Sequence, residues 1–126
     1  MELKKIFLIL ATSYFLYSIF GSYQKPKVCT IKHYEKFVPK DKYSFNSYTV
    51  KTSDGYILTL FGVSNKIKFD SSLHPIYIQH GLGGSPAEYL NNSEGRSVAL
   101  LLADKGYQVF LGASRGNYFS DRHESK

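Results

Sequence analysis

A glycine-rich loop after a short apolar run is the part of this 126-residue chain best suited to chemistry. Residues 76–79 have the character of a strand that is buried on both faces of a parallel sheet. After this strand come His80 and three glycines, Gly81, Gly83 and Gly84. Glycines let backbone amides approach a ligand closely, and open α/β sheets build their sites at the carboxyl ends of strands. The loop is therefore the first candidate for a functional site.

Three kinds of site use a loop of this type. Phosphate-binding loops have a different glycine spacing and open directly into a helix, whereas here Pro86 intervenes and no lysine follows. A metal site needs several ligands, and His80 has no His, Asp or Cys close to it in the sequence. The third kind is the oxyanion hole of an α/β-hydrolase, in which a backbone N–H after the third strand stabilises developing negative charge. The loop follows the third predicted strand, which favours the oxyanion hole, and no metal or cofactor is predicted.

The predicted elements around the loop alternate between strands and a helix. Residues 48–52 and 56–61 predict a hairpin, because Asp54-Gly55 between them is a strong turn signal. Residues 64–72 are polar and predict a surface loop. Residues 107–111 predict a fourth strand after a helix, so the third and fourth strands are expected to be parallel and joined by a crossover.

The helix of this crossover is predicted over residues 97–105. Ser97 is placed to cap its first turn, and Gly106 is placed to end it in the left-handed conformation. Val98, Leu101 and Leu102 follow helical spacing and are expected to form its buried face.

The first residues have the pattern of a secretory signal peptide. Lys4 and Lys5 precede an apolar run over residues 6–20, and small residues follow it. A membrane anchor is the alternative, although the run is shorter than the ~20 residues that a bilayer needs, and hydroxyl residues interrupt it.

Composition narrows the classes of partner. Hydrophobic residues make up 43% of the chain, enough for a packed core, and the net charge is +6. Much of the positive charge lies in a lysine-rich stretch before residue 43, which has no helical spacing or aromatic interleaving, so no nucleic acid partner is predicted.

Cys29 is the only cysteine, and three possibilities stay open for it: a free thiol, an intermolecular bridge or a partner outside the chain. Asn91-Asn92-Ser93 is the only sequon, so Asn91 is a predicted glycosylation site.

Three blocks of the sequence, in this order, resemble the acid lipase family, which includes gastric and lysosomal lipases and related sterol-ester hydrolases. The loop QHGLGGS at residues 79–85 matches the family's Q-H-G-L-x-G-S. ADKGY at residues 103–107 matches the end of a family helix, and LGASRGN at residues 111–117, with Ser120 and His123 after it, matches a family loop. The hairpin also matches, so the resemblance runs from about residue 43 to the end. Ala113 and Phe119 depart from the Asn and Tyr that are usual in the family.

The resemblance implies an α/β-hydrolase that cleaves lipid esters, such as triacylglycerols or sterol esters, and that can act at a lipid interface. It implies that Leu82 donates its backbone N–H to the oxyanion and that His80 and Gly81 shape the loop. The family's nucleophile lies in a G-H-S-x-G elbow, which these residues lack. The nucleophile, acid and base are therefore expected to be absent, and the chain alone is predicted to be inactive.

Ser114 imitates a nucleophile in its immediate context. Residues 112–116 satisfy G-x-S-x-G, but the elbow requires a strand, a sharp turn and a helix, and residues 117–121 have no helical period. His123 is not a credible base, since Asp121 is too close in the chain to complete a triad. We predict that Ser114 is not catalytic and that Arg115 and Asn117 fix this loop by hydrogen bonds to backbone carbonyls.

The expected fold is the N-terminal part of an α/β-hydrolase, a hairpin followed by a strand-helix-strand crossover, with an incomplete sheet. We expect a signal peptide or anchor over residues 1–22, a basic linker over residues 23–46 and a partial lipase domain over residues 47–126. The protein is expected in the secretory or lysosomal lumen, and the third strand is expected to keep one unpaired edge. A non-catalytic truncated secreted binding protein and a membrane-anchored basic protein are the alternatives, and the oligomeric state is not predicted.

Overall fold

The computed structural model describes residues 31–92 and 95–125. The predicted signal peptide or anchor, the first part of the predicted linker and Cys29 lie outside the described residues. Within the described residues, the search for a helix long and apolar enough to span a bilayer finds none.

The described residues form an open mixed sheet with few helices. In chain order the elements are α1 (Ile31–Glu35), β1 (Tyr43–Lys51), β2 (Tyr56–Asn65), β3 (Ile76–Gln79), a 3₁₀ helix (Pro86–Tyr89), α2 (Val98–Ala103), β4 (Val109–Gly112) and β5 (Arg122–His123). The sheet order is β1-β2-β4-β3, and β5 pairs with β2. β2 is antiparallel to β1 and β4, whereas β3 is parallel to β4. The predicted α/β fold, with its hairpin and crossover, is confirmed.

The hairpin is longer than the alternating pattern predicts. Its register runs from Tyr43 opposite Asn65 to Lys51 opposite Ile57, and Gly55 takes the positive φ of 87° that the turn requires. Ser64 and Asn65 therefore belong to β2, and the surface loop predicted from residue 64 begins after them. The pattern misses this strand end because Asn65 is polar yet only 2% exposed.

The predicted basic linker is folded from Ile31 onward. α1 and the turns after it lead into β1, and Tyr34, Val38 and Tyr43 are buried in the core. The boundary expected at residue 47 is thus wrong for the described part of the chain. The sequence pattern does not reveal these apolar residues, because lysines surround them. They also have no regular spacing, because they lie on a helix, a turn and a strand in succession.

α2 begins after the predicted cap Ser97, but it ends at Ala103, two residues before the predicted end, and it buries a different face. Ser97 accepts a hydrogen bond from the Leu100 backbone N–H at 3.5 Å, and Gly106 has a φ of 98°. Val98 and Leu101, predicted to be buried, are 45% and 41% exposed, and Leu102 is half-buried. The buried residues are Ala99, Leu100 and Ala103. All six residues of α2 are apolar, so spacing alone cannot select a face, and the two alanines let the helix lie close to the sheet.

β3 is an edge strand that is covered on one face, not on both as its apolar run predicts. Ile76 and Ile78 are partly buried, whereas Tyr77 is 58% exposed and Gln79 is also exposed. Among the described residues, β3 pairs with β4 alone, so its other edge is unpaired, as the sequence leads us to expect. A short apolar run indicates a strand, but it does not show which faces will be covered.

Candidate functional site

The loops after β3 and β4 form a cleft. Because the two strands are parallel and adjacent, their carboxyl ends lie at the same edge of the sheet. The cleft has a volume of about 570 Å³ and is lined by residues 80–84 of the first loop and residues 114–118 of the second. The predicted site residues His80, Gly81 and Leu82 thus share one wall, and Ser114 lies on the other.

A tight turn presents the backbone of Leu82. The Gly84 N–H donates to the Gly81 carbonyl at 3.1 Å, and Gly83 takes a φ of 74°, as position three of a type II turn requires. The Leu82 side chain is fully exposed. In residues 31–92 and 95–125, the Leu82 backbone N–H donates no hydrogen bond. A donor of this kind can bind an anionic oxygen without first breaking another bond.

The end of this loop is anchored to the 3₁₀ helix. The Ser85 side chain accepts from the Ala87 backbone N–H at 3.3 Å, and Glu88 Oε1 accepts from the Ser85 backbone N–H at 2.9 Å, which is a capping box. A Cβ on Gly84 would lie only 2.2 Å from Glu88 Oε1. Glycine at this position therefore lets the capping carboxylate close over the loop.

Asn117 joins the two walls of the cleft. Its side-chain amide donates to the Gly84 carbonyl at 3.0 Å, and its Oδ1 accepts from the Phe119 backbone N–H at 3.2 Å. This contact is of the kind predicted for Asn117, a hydrogen bond to a backbone carbonyl.

Arg115 binds a carboxylate, not the backbone carbonyls predicted for it. Its guanidinium donates Nη1 to Asp54 Oδ2 at 2.6 Å and Nη2 to Asp54 Oδ1 at 2.9 Å. It also lies 4.5 Å from the centroid of the Tyr56 ring. The hydrogen bond from the Thr52 hydroxyl holds the pKa of Asp54 below its ordinary value; burial opposes it, and Arg115 makes a smaller contribution in the same direction as Thr52. The hairpin turn is thus bound to the second loop of the cleft through the Arg115–Asp54 ion pair.

His123 takes part in the same contact between hairpin and loop. Its Nε2 donates to the Asp54 backbone carbonyl at 2.8 Å, and its ring packs edge-on against Tyr56 with centroids 4.7 Å apart. His123 belongs to β5, which pairs with the start of β2. That His123 is not a catalytic base stays a prediction.

Ser114 has partners that suit a loop residue. Its hydroxyl accepts from Gln79 Nε2 at 2.7 Å, and its backbone N–H donates to His80 Nε2 at 3.1 Å. The residues after Ser114 form turns and not a helix. Among the described residues, the strand-turn-helix context of a nucleophile elbow is thus missing around Ser114, and that Ser114 is not a nucleophile stays a prediction.

A polar network at the far end of α2 escaped the sequence analysis. Asp104 Oδ1 accepts from the Tyr43 hydroxyl at 3.0 Å and from Asn65 Nδ2 at 2.8 Å, and its Oδ2 pairs with Lys42 Nζ at 3.0 Å. Burial by itself raises the pKa of Asp104, but the hydrogen bonds from Lys42, Asn65 and Tyr43 outweigh it and lower that pKa. The ADKGY block thus ties the first strands to the crossover helix.

Gln79, the last residue of β3, is a positioning group that the sequence analysis overlooked. Its Nε2 reaches both the Ser114 hydroxyl and the Gly112 carbonyl, the latter at 3.3 Å, and its backbone carbonyl accepts from the Tyr89 hydroxyl at 3.1 Å. The sequence feature that could have indicated this role is the single amide side chain at the end of an otherwise apolar strand.

Comparison with known proteins identifies relatives of this chain. Residues 34–93 match the family model described as the partial alpha/beta-hydrolase lipase region. Human lipase member K is 40% identical over 84 residues, which are 64% of this chain and 21% of that protein. Mouse gastric triacylglycerol lipase is 39% identical over 84 residues, again 64% of this chain and 21% of that protein. Lipase lipl-5 of Caenorhabditis elegans is 30% identical over 122 residues, 94% of this chain and 30% of that protein.

The chain matches only part of the length of each relative. The chain spans between a fifth and a third of the length of these relatives. The matched region includes the hairpin, β3 and the glycine-rich loop, and the sheet around it has the α/β arrangement of that family. These similarities support an acid lipase-like N-terminal portion with an α/β-hydrolase fold.

Proposed function

We propose that this chain supplies one half of the oxyanion hole of a serine ester hydrolase that acts on lipid esters. The single observation that carries the proposal is that Leu82 lines the cleft and that its backbone N–H has no hydrogen-bond acceptor among the described residues. The relatives are lipases by name, and one is named for triacylglycerols, which supports a lipid ester as the substrate class.

The proposed reaction is acyl transfer through a serine. The serine oxygen attacks the acyl carbonyl, a histidine takes its proton, and an acid orients the histidine. The carbonyl oxygen becomes negatively charged, and the Leu82 N–H donates a hydrogen bond to it together with a second N–H, the one that follows the nucleophile. The ester C–O bond then breaks, the histidine gives its proton to the leaving alcohol, and water releases the acyl group from the serine by the same steps. The serine, histidine, acid and second N–H would come from the remaining length of the hydrolase.

The exposed Leu82 side chain has a place in this proposal. It lines the same cleft as Tyr118, which is 43% exposed. Apolar groups beside an oxyanion donor suit the acyl chain of a lipid ester, and they provide a point of contact with a lipid interface.

A hybrid hydrolase tests the proposal. Residues 43–125 replace the matching segment of mouse gastric triacylglycerol lipase, and hydrolysis of a triacylglycerol is measured. Leu82→Pro removes the backbone N–H, whereas Leu82→Ala keeps it and controls for the lost side chain. We expect Leu82→Pro to lower kcat by about 10²–10³-fold, as for other oxyanion donors, and Leu82→Ala to lower it much less. Equal losses in the two folded variants would refute the donor role.

We also propose that the protein enters the secretory pathway and carries a glycan on Asn91. Asn91 is exposed in the loop after the 3₁₀ helix, where a glycan would not displace packed residues. Expression in a secreting eukaryotic cell should give a product whose mobility changes with an N-glycosidase. Asn91→Gln should remove that change, and an unglycosylated cytosolic product would contradict the proposal.

A further inference from the structure

We propose that His80 positions the two walls of the cleft as a neutral imidazole with its proton on Nδ1, and that protonation of His80 breaks its contact with the loop after β4. The ring is 9% exposed. One ring nitrogen contacts the glycine-rich loop, and the other contacts the loop after β4. His80 is thus a positioning residue that acts through Gly81 and Ser114.

The partners of the ring determine its tautomer. Nδ1 lies 2.9 Å from the Gly81 carbonyl oxygen, which can only accept, so Nδ1 must carry the proton. Nε2 lies 3.1 Å from the Ser114 backbone nitrogen, which can only donate, so Nε2 must be unprotonated. Both contacts are satisfied together in the neutral Nδ1–H form alone.

Protonation would place two donors against each other. In the imidazolium both nitrogens carry hydrogen, so Nε2–H would face the Ser114 N–H across 3.1 Å. The contact with Gly81 survives this change, because Nδ1–H remains a donor. The loop after β4 is therefore released from His80, whereas the glycine-rich loop is not.

The titratable side chains on the neighbouring elements are engaged elsewhere. Arg115 binds Asp54, Glu88 caps the 3₁₀ helix, and the Tyr77 and Tyr89 hydroxyls donate to Gln79. Tyr118, on the second wall, packs against Phe119. The switch thus depends on the His80 ring and the Ser114 amide.

This inference rests on the proposed function only where the cleft is taken as an oxyanion site. The tautomer and the Ser114 contact are measurable in the 126-residue chain without any turnover. A failure of the Leu82→Pro hybrid would therefore not be mistaken for a failure here.

The test is nuclear magnetic resonance on the full chain labelled with ¹⁵N. At neutral pH we expect Nδ1 of His80 to be protonated and Nε2 to be unprotonated. His74, an exposed histidine, is the internal control and should show rapidly exchanging tautomers. As the pH falls through the His80 titration, hydrogen exchange of the Ser114 amide, corrected for the intrinsic pH dependence, should become faster by about tenfold.

Two substitutions separate the ring nitrogens. In His80→Gln the side-chain oxygen can take the place of Nε2, so protection of the Ser114 amide should persist without a pH dependence. In His80→Asn the amide can replace only Nδ1–H, so protection should be low at every pH. If a variant does not fold, the tautomer and exchange data on the unsubstituted chain decide the question. An Nε2–H tautomer, or Ser114 exchange that ignores the His80 titration, would overturn the proposal.

Discussion

The Asn117 side chain donates to the Gly84 carbonyl at 3.0 Å and so links the loop after β4 to the loop after β3. Its orientation is determined, because its Oδ1 accepts from the Phe119 backbone N–H at 3.2 Å. Gly84 closes the turn that presents Leu82. The Asn117 amide is thus one of the links that hold the two walls of the cleft together, beside the His80 ring.

Asn117→Asp tests this link. The carboxylate can still accept from Phe119, but it cannot donate to Gly84 and instead opposes an oxygen with an oxygen. We expect the free energy of unfolding to fall by about 1–2 kcal/mol, with faster amide exchange in the glycine-rich loop. Urea denaturation and hydrogen exchange measure the two effects. Asn92→Asp, the same change at an exposed asparagine, is the control, and equal effects in both variants would count against the link.

The Asp104 network predicts a loss of stability in acid. Its partners hold the Asp104 pKa in the folded protein below the ordinary value, so its contribution to stability is complete above the ordinary aspartate pKa and disappears as the pH falls through the folded-state pKa. We expect Asp104→Asn to cost about 1–2 kcal/mol at neutral pH and progressively less in acid.

Chemical denaturation at a series of pH values measures this dependence. Asp121→Asn, at an exposed position, controls for the change in net charge. A difference between the unsubstituted chain and Asp104→Asn that stays constant down to strongly acidic pH would rule out the network as its source.

Truncation of two adjacent leucines tests the buried face of α2. Leu100 is 1% exposed and Leu101 is 41% exposed. We expect Leu100→Ala to lower the free energy of unfolding by about 2–4 kcal/mol, because it leaves a cavity between helix and sheet. Leu101→Ala should cost about 0.5 kcal/mol. Thermal or urea unfolding measures both losses. A larger loss for Leu101→Ala than for Leu100→Ala would support the buried face that the spacing predicts.

The prediction that Ser114 is not a nucleophile is tested by direct assay. The purified 126-residue chain should not hydrolyse a short-chain acyl ester above the background rate, because the Ser114 hydroxyl accepts from Gln79 and, among the described residues, donates to no base. Ser114→Ala should leave that result unchanged. Measurable turnover that disappears in Ser114→Ala would make Ser114 catalytic and reverse the prediction.

Local signals predicted most elements of the fold. β3 has the predicted bounds, Gly55 and Gly106 take positive φ, and Ser97 caps α2. These features depend on a few neighbouring residues, so their chemistry is readable in the chain. The glycine-rich loop is local in the same sense, which is why its candidate role follows from the sequence.

Hydrogen-bond partners that lie far apart in the sequence could not be predicted from it. Arg115 and Asp54 are 61 positions apart, and His80 and Ser114 are 34 apart. The periodicity of neighbouring residues does not predict which polar groups will be in contact once the sheet has formed. The buried side of the apolar helix α2 and the folded part of the predicted linker were misjudged for the same reason.

The sequence by itself determined the kinds of elements, their order and the loop that carries the candidate site, because turns, caps and apolar runs act over a few residues. The tertiary structure alone decided which groups hold that loop. The parallel pairing of β3 with β4 brings the two loops together, and only then can His80, Gln79 and Asn117 reach their partners across the cleft.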